Sequence, residues 1–468
     1  MKNTSLAGPI LLIVLGVLFL LYNLDPRVPL LQWISLYWPW LLLVWGTLRL
    51  AEILLWAARS RPLPRAGVSG GEWAIVISIC LVGSAADFAR NRWPGARITR
   101  HGIEMFGQAY DFPVSGARPA GDARSVVVEN LRGNVRIAGA EVGEVRVQGR
   151  ATVRAFDRAR AEELNRQMPF EVGIQGDQVV VRTNQGQTGE TQRVSSDLEI
   201  LVPAAISVVV RGRQGDIDVA NIAGDASIES GNAGVRLAEI GGSARIDVKR
   251  SDVVRAVNLK GGVTLRGRGQ DVEIENAGGP VTVTGTFSGD LQFRSLAQGL
   301  EFESQRTNFR ARQVPGQVRL ALGRLVGTGL EGPVRLKART RDVELGDFTG
   351  ETEIEVERGS VKLRPARLPL GPMTVAVKSG DIELAAPPGA KFSLAAAVDH
   401  GDISNEIGEP FRLERRDHGA KLEGGKGQRP EIRLRTERGA ITLRQMSGGA
   451  LPARAAKQEA PRLVVENY

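Results

Sequence analysis

The 468-residue chain contains a single cysteine, Cys80, set in an apolar run. No intrachain disulfide can form and no metal site can be built from thiolates, so cysteine usage leaves the redox compartment open. Histidine is scarce too: His101, His400 and His418 are the only three, each an isolated solvated side chain on this reading. Aromatic residues make up 5% of the chain, and all seven tryptophans fall at or before Trp93, which divides the sequence into two parts of different character. There is no phosphate-binding loop and no zinc-ligand spacing.

Net charge is also less lopsided than it first looks. Of the formal +9, residues 1–100 hold ten Lys or Arg against four acids, leaving only +3 for the remaining 368 residues. The cations of that larger part are dispersed along strand-like segments rather than gathered on one stripe, which argues against a nucleic-acid partner.

What the sequence has in abundance is a repeated phrase: a turn residue followed by an apolar-polar-apolar triplet. It recurs at Gly215-Asp216-Ile217-Asp218-Val219, Gly234-Val235-Arg236-Leu237, Asp252-Val253-Val254-Arg255, Asp271-Val272-Glu273-Ile274 and Gly289-Asp290-Leu291-Gln292-Phe293, with apolar leaders at 217, 235, 253, 272 and 291. A second series, half a period away, runs through Ala226-Ser227-Ile228, Ala244-Arg245-Ile246, Val263-Thr264-Leu265, Val281-Thr282-Val283 and Leu300-Glu301-Phe302. Alternation of this kind buries one face of a strand. A fixed period of 18–19 residues with two strands per period predicts an all-β solenoid, a single-chain β-helix of stacked turns. A β-sandwich with coincidental spacing is the plainer alternative. Burying about four apolar side chains per turn contributes roughly 6–12 kcal/mol gross, less than the cost of ordering about 18 residues, so turns must stack to fold. The pairs Gly133-Asn134, Gly215-Asp216, Gly289-Asp290, Gly380-Asp381 and Gly401-Asp402 are predicted to be the structural turn positions. Glycine takes positive φ freely, and Asn or Asp bonds nearby backbone.

Three apolar stretches precede the repeat, at 6–24, 34–56 and 73–88. Their lengths predict an α-helical transmembrane region over residues 1–90. Lys2 and the arginines at 59, 61 and 65 place their flanks inside, so the expected arrangement is multi-pass in a cytoplasmic membrane, with the C-terminal domain extracytoplasmic. Residues 91–124 read as a linker, 125–445 as the solenoid and 446–468 as a disordered tail. One helix is expected outside the membrane region, capped by Asp157 and stopped by Pro169.

The order of Leu131-Arg132-Gly133-Asn134-Val135-Arg136-Ile137, Leu198-Glu199-Ile200-Leu201-Val202-Pro203, the Gly-Asp-Ile triplets at Gly215, Gly380 and Gly401, and Arg438-Gly439-Ala440-Ile441-Thr442-Leu443 resembles the auto-transporter adhesin head-like domain of bacterial surface proteins, over about residues 125–445. The runs from Gly8 to Val17 and from Trp38 to Gly46 resemble the transmembrane region of LiaI/LiaF-like envelope-stress proteins. These resemblances imply a bacterial membrane protein and carry over no catalytic residues.

The chemistry expected is binding rather than turnover. Asp402 beside His400 fits a turn better than a relay, and the doubled glycines followed by Gly-x-Asp that mark calcium-binding β-rolls are missing. Neither a cofactor nor a metal is expected. The reading is a membrane-anchored, adhesin-like binding or scaffolding module at the cell envelope, with the lipid bilayer and an extracytoplasmic ligand or envelope protein as partners. The alternatives are a regulator of envelope-stress signalling and, further off, an enzyme acting on cell-wall polysaccharide.

Overall fold

The computed structural model describes residues 39–40, 42–43, 46–47, 50–51, 54, 76–77, 80–81, 84, 97–99, 102–104, 107–415 and 417–446. Contacts divide the chain into two compact units, Met1–Asp111 with Thr152–Arg166, and Phe112–Ala151 with Gln167–Tyr468. In the first, Arg97–Thr99 and Gly102–Glu104 form a small antiparallel pair, so the expected linker carries strands. The helix Arg158–Gln167 starts where the Asp157 Oδ1 accepts the Arg160 N–H at 2.8 Å.

The second unit is built on parallel, in-register pairing. Ile217 lies between Val135 and Val235, Val235 pairs with Val254, Val254 with Val272, and Val272 with Leu291. A second ladder runs Val128, Val210, Ile228, Ile246, Leu265, Val283, Phe302. Every residue of both ladders is buried, which is why the alternation is so strict. One expected member is wrong. Val253 pairs with the polar Asp271 and Val254 takes its place inside, because the register shifts between Val248 and Ser251. An extra residue in one strand exchanges the two faces of the segment downstream of it.

The expected solenoid of uniform two-strand turns is corrected. Among the described residues, 29 strands form one mixed sheet in which the parallel ladders are broken by antiparallel blocks. The largest break is the hairpin of Thr307–Ala321 and Arg324–Thr340, strands of 15 and 17 residues, long enough for each to border both ladders. Its two-residue turn places Leu322 and Gly323 at φ 33° and 82°, the positive values that a tight hairpin turn requires. Antiparallel strands also appear at Glu171–Gln175 and at Phe411–Arg415 with Ala420–Gly424. A chain that doubles back in this way is not a coil of equivalent turns.

The α-helical transmembrane region and the multi-pass localisation built on it are corrected as well. No helix among the described residues is long and apolar enough to cross a membrane, a task that takes about 20 apolar residues. The expected span 6–24 lies outside the described residues, 34–56 and 73–88 do so in large part, and so does the tail from 447 onward.

Corners hold the ladders together. Gly215 has φ 129°, and a Cβ placed there would lie 2.1 Å from the Gly133 carbonyl oxygen. Gly215→Ala should therefore cost about 2–4 kcal/mol. Gly173→Ala, where nothing lies within 4 Å of the new carbon, should change stability by less than about 1 kcal/mol. Urea unfolding of the two variants measures the difference, and equal midpoints would contradict this account of the corner.

Candidate binding groove

The predicted turn residues are positioned by the ladders, and they serve them. The Asp197 Oδ1 accepts the Asn134 N–H at 2.9 Å, the Asn134 Oδ1 accepts the Asp216 N–H at 2.9 Å, and the Asp216 Oδ1 accepts the Gly234 N–H at 3.1 Å. Each side chain thus satisfies the corner amide of the next strand. The same device returns where the Asp342 Oδ1 accepts the Ser360 N–H and the Asp381 Oδ1 accepts the Ala440 N–H. Gly133, Gly380 and Gly401 share the left-handed φ of Gly215, whereas Gly289 does not. Gly289 is small because the Asp271 carboxylate passes 2.1 Å from where its Cβ would be. These ten residues lie along corners in different parts of the sheet and do not converge on one site.

At Asp290 the corner ladder stops. Its N–H donates to the Asp271 Oδ1 at 2.8 Å, but the next strand is antiparallel and brings Arg319 opposite Gln292. The Arg319 guanidinium grips both Asp290 oxygens at 2.7–3.1 Å. The Arg319 hydrogen bond, helped by Gln292, holds the Asp290 carboxyl below its ordinary value. Arg415 does the same for Asp402, with the Ile403 N–H assisting.

A second corner escaped the sequence reading. Asn221, Glu239, Asn258, Asn276 and Ser295 all adopt positive φ between 51° and 59°, in steps of 18 and 19 residues. Asn276 donates to the Asn258 side-chain oxygen at 2.8 Å. Asparagine recurring with the period of the repeat is the signal that could have revealed it.

Among the described residues is a groove of about 410 Å³ lined by Glu129, Leu131, Arg182, Asn184, Gln187, Arg211 and Glu229 among others. Adjacent strands supply its charged floor, since Arg182 pairs with Glu129, Glu129 with Arg211, and Arg211 with Glu229. The Glu129 carboxylate is shared: the Arg182 Nε lies 2.8 Å from one oxygen and the Arg211 Nη1 3.5 Å from the other. The wall is a 3-10 turn, Gln185–Thr188, preceded by left-handed Asn184.

That wall is fixed from beneath by a buried polar network. Gln185, only 1% exposed, accepts the Arg132 N–H at 2.7 Å and donates to the Arg132 carbonyl at 2.8 Å and the Ser196 Oγ at 3.0 Å. Asn130 donates to the Ser196 carbonyl at 2.9 Å, and Thr183 donates to the Asn130 Oδ1 at 3.2 Å. Pairing of this kind offsets the cost of burying polar groups. The network makes the groove a pre-formed surface. Gln185, Asn130, Thr183 and Ser196 were not singled out from the sequence: Arg132 and Gln185 are 53 positions apart, and no local pattern announces the contact.

Because the Asp290 carboxyl is depressed, its contribution to stability is complete above the ordinary aspartate value of 3.8 and is lost as pH falls through the lower folded value. Arg319→Ala should raise the Asp290 pKa toward that ordinary value and flatten the stability profile below pH 4. An NMR titration of the Asp290 carboxyl carbon reads the shift, and an unchanged midpoint in the variant would remove Arg319 as the cause.

No family model and no curated relative matches the chain. Among solved structures, a candidate cell adhesion protein from Clostridium sporogenes is similar at 8% identity and TM-score 0.16, over 72% of this chain and all of that one. A candidate adhesin from Bacteroides fragilis is similar at 11% identity and TM-score 0.20, over 72% of this chain and 97% of that one. A candidate lipid binding protein from Parabacteroides distasonis is similar at 8% identity and TM-score 0.19, over 71% and 96%. TM-scores of this size assign the chain neither fold nor function.

Proposed function

We propose that this chain is a binding module whose groove takes a polar, hydroxyl-rich ligand such as a cell-envelope glycan, without turning it over. The observation that carries this reading is the balanced floor of the groove: two carboxylates, Glu129 and Glu229, alternate with two guanidiniums, Arg182 and Arg211. The floor offers both acceptors and donors with no net charge, so it suits hydroxyls, which do both, better than an ion of either sign. Leu131, 38% exposed, adds a small apolar contact. The Glu129 carboxylate is engaged by two guanidiniums, an arrangement for orienting a ligand rather than for moving a proton.

Arg211→Glu removes a donor and places a third acid among the carboxylates. Binding of purified chain to soluble cell-wall glycan, followed by calorimetry, should weaken at least about tenfold, or about 1.4 kcal/mol. Lys337→Ala, on a strand that does not border the groove, should leave binding unchanged. Reducing ends released on long incubation would replace the binding module with a hydrolase, and equal affinity of both variants would move the site elsewhere.

A further inference from the structure

A different surface, independent of the groove, carries a ligand preference of its own. In the C-terminal half of the sheet, the last residues of five successive strands pair in the order Thr340, Arg358, Ser379, Arg438 and His400. All five are exposed. They share the inward phase of their strands but lie one step past the end of the core, so they project from the corner and not from the sheet face. His418 extends the line, its ring stacked on His400 at 6.2 Å and 8°. Arg341 opens it, with its N–H donating to the Arg358 carbonyl at 2.9 Å.

What sets this seam apart is the absence of acids. Along the sheet faces cations are answered by carboxylates, as in Lys337 with Glu355 at 2.8 Å and Arg255 with Glu273 at 3.1 Å. Among the described residues, Arg341, Arg358 and Arg438 have no carboxylate within ion-pairing distance. The half-buried Arg341 guanidinium meets only neutral acceptors, the Thr307 Oγ1 and the Arg324 carbonyl, each at 3.2 Å. The acids nearest Arg341, Arg358 and Arg438 in sequence are turned away or occupied. Glu357, Glu437 and Asp399 come one residue earlier and so face the other side of their strands, and Asp399 is held by Arg435 at 3.1 Å. Asp342 and Asp381 accept backbone N–H groups at the next corner, and Asp402 is paired with Arg415.

From this geometry we infer that the seam is a docking track for a linear anionic polysaccharide, a polymer whose sulfate or carboxylate groups meet Arg358 and Arg438 in turn. Strands stand about 4.8 Å apart, so these two guanidiniums, two strands apart, repeat at about 10 Å, a separation that a charged sugar chain can match. Arg341 supplies fixed positive potential at one end, while Ser379 and Thr340 offer hydroxyls between the charges. The seam contains no Phe, Tyr or Trp, and its stacked His400–His418 pair stands at one end only, so it lacks the succession of aromatic platforms along which single-stranded nucleic acid stacks.

The test uses heparin as the anionic probe, uncharged dextran as its neutral counterpart and oligothymidylate as the competing polyanion, with binding to the full chain read by fluorescence anisotropy at about 50 mM salt. Heparin should bind and dextran should not. R358S/R438S should weaken heparin binding at least about tenfold and flatten its salt dependence, whereas R245S/R310S, which removes the same charge from a sheet face, should change it less than about twofold. Matching urea midpoints for the two double variants exclude unfolding as the cause. The seam is overturned if heparin fails to bind, if dextran binds equally, or if the two double variants behave alike. Tighter binding of oligothymidylate overturns the polysaccharide assignment. Loss of glycan binding in the groove variant Arg211→Glu has no bearing on any of these outcomes.

Discussion

Parallel backbone pairing between strands 18 or 19 residues apart is the constraint on which the rest of the second unit depends. It stacks like on like: an inward Ile217 must lie beside an inward Val235, and an outward Asp218 beside an outward Arg236. Inside, this gives continuous apolar ladders in which each layer is stable only because its neighbours bury it. Outside, it turns charge pairing into a problem of registry, answered by ion pairs such as Arg236 with Asp218 at 3.2 Å. Exposed pairs of this sort add little stability individually. Their larger effect is on which surfaces are left neutral and which carry charge.

Corners solve a separate problem, since the chain must turn where the parallel ladders offer no partner for its amides. Asn134, Asp216, Asp342 and Asp381 each lend a side-chain oxygen to the following strand. Where the sheet changes direction this solution is no longer available, and Arg319 takes over at Asp290. The arginine is a consequence of the reversal: an antiparallel neighbour presents a side chain where a parallel one would present a corner N–H.

The groove and the seam are two products of one architecture. At the groove, Arg and Glu alternate across adjacent strands, and a buried Gln185 fixes the wall. At the seam, the corner positions carry Arg, Ser, Arg and His with no acid in register. The first is balanced and suits hydroxyls, while the second is cationic and suits oxyanions. No catalytic constellation is required for either.

Part of this architecture is legible in the amino-acid order alone. The alternation from Ile217 to Val219 and its return at Val235 to Leu237 disclose buried strand faces, because a two-residue period is set by local backbone geometry. Asp157 and Pro169 bracket the helix for equally local reasons. Positive φ at Gly133, Gly215, Gly380 and Gly401 is a local demand that glycine meets, whereas Gly289 answers to the approach of Asp271 from another strand. Tertiary structure decided the rest. Whether the strand after Glu303 runs with or against its neighbour depends on the tight turn between Ser304 and Thr307, each of which accepts the other's backbone N–H, and whether Val253 or Val254 points inward depends on one extra residue upstream. The groove needs Glu129, Arg182 and Arg211 from three strands, and the seam needs five. Contacts between residues tens of positions apart leave no periodic trace in a sequence, since they are fixed by which strand becomes whose neighbour.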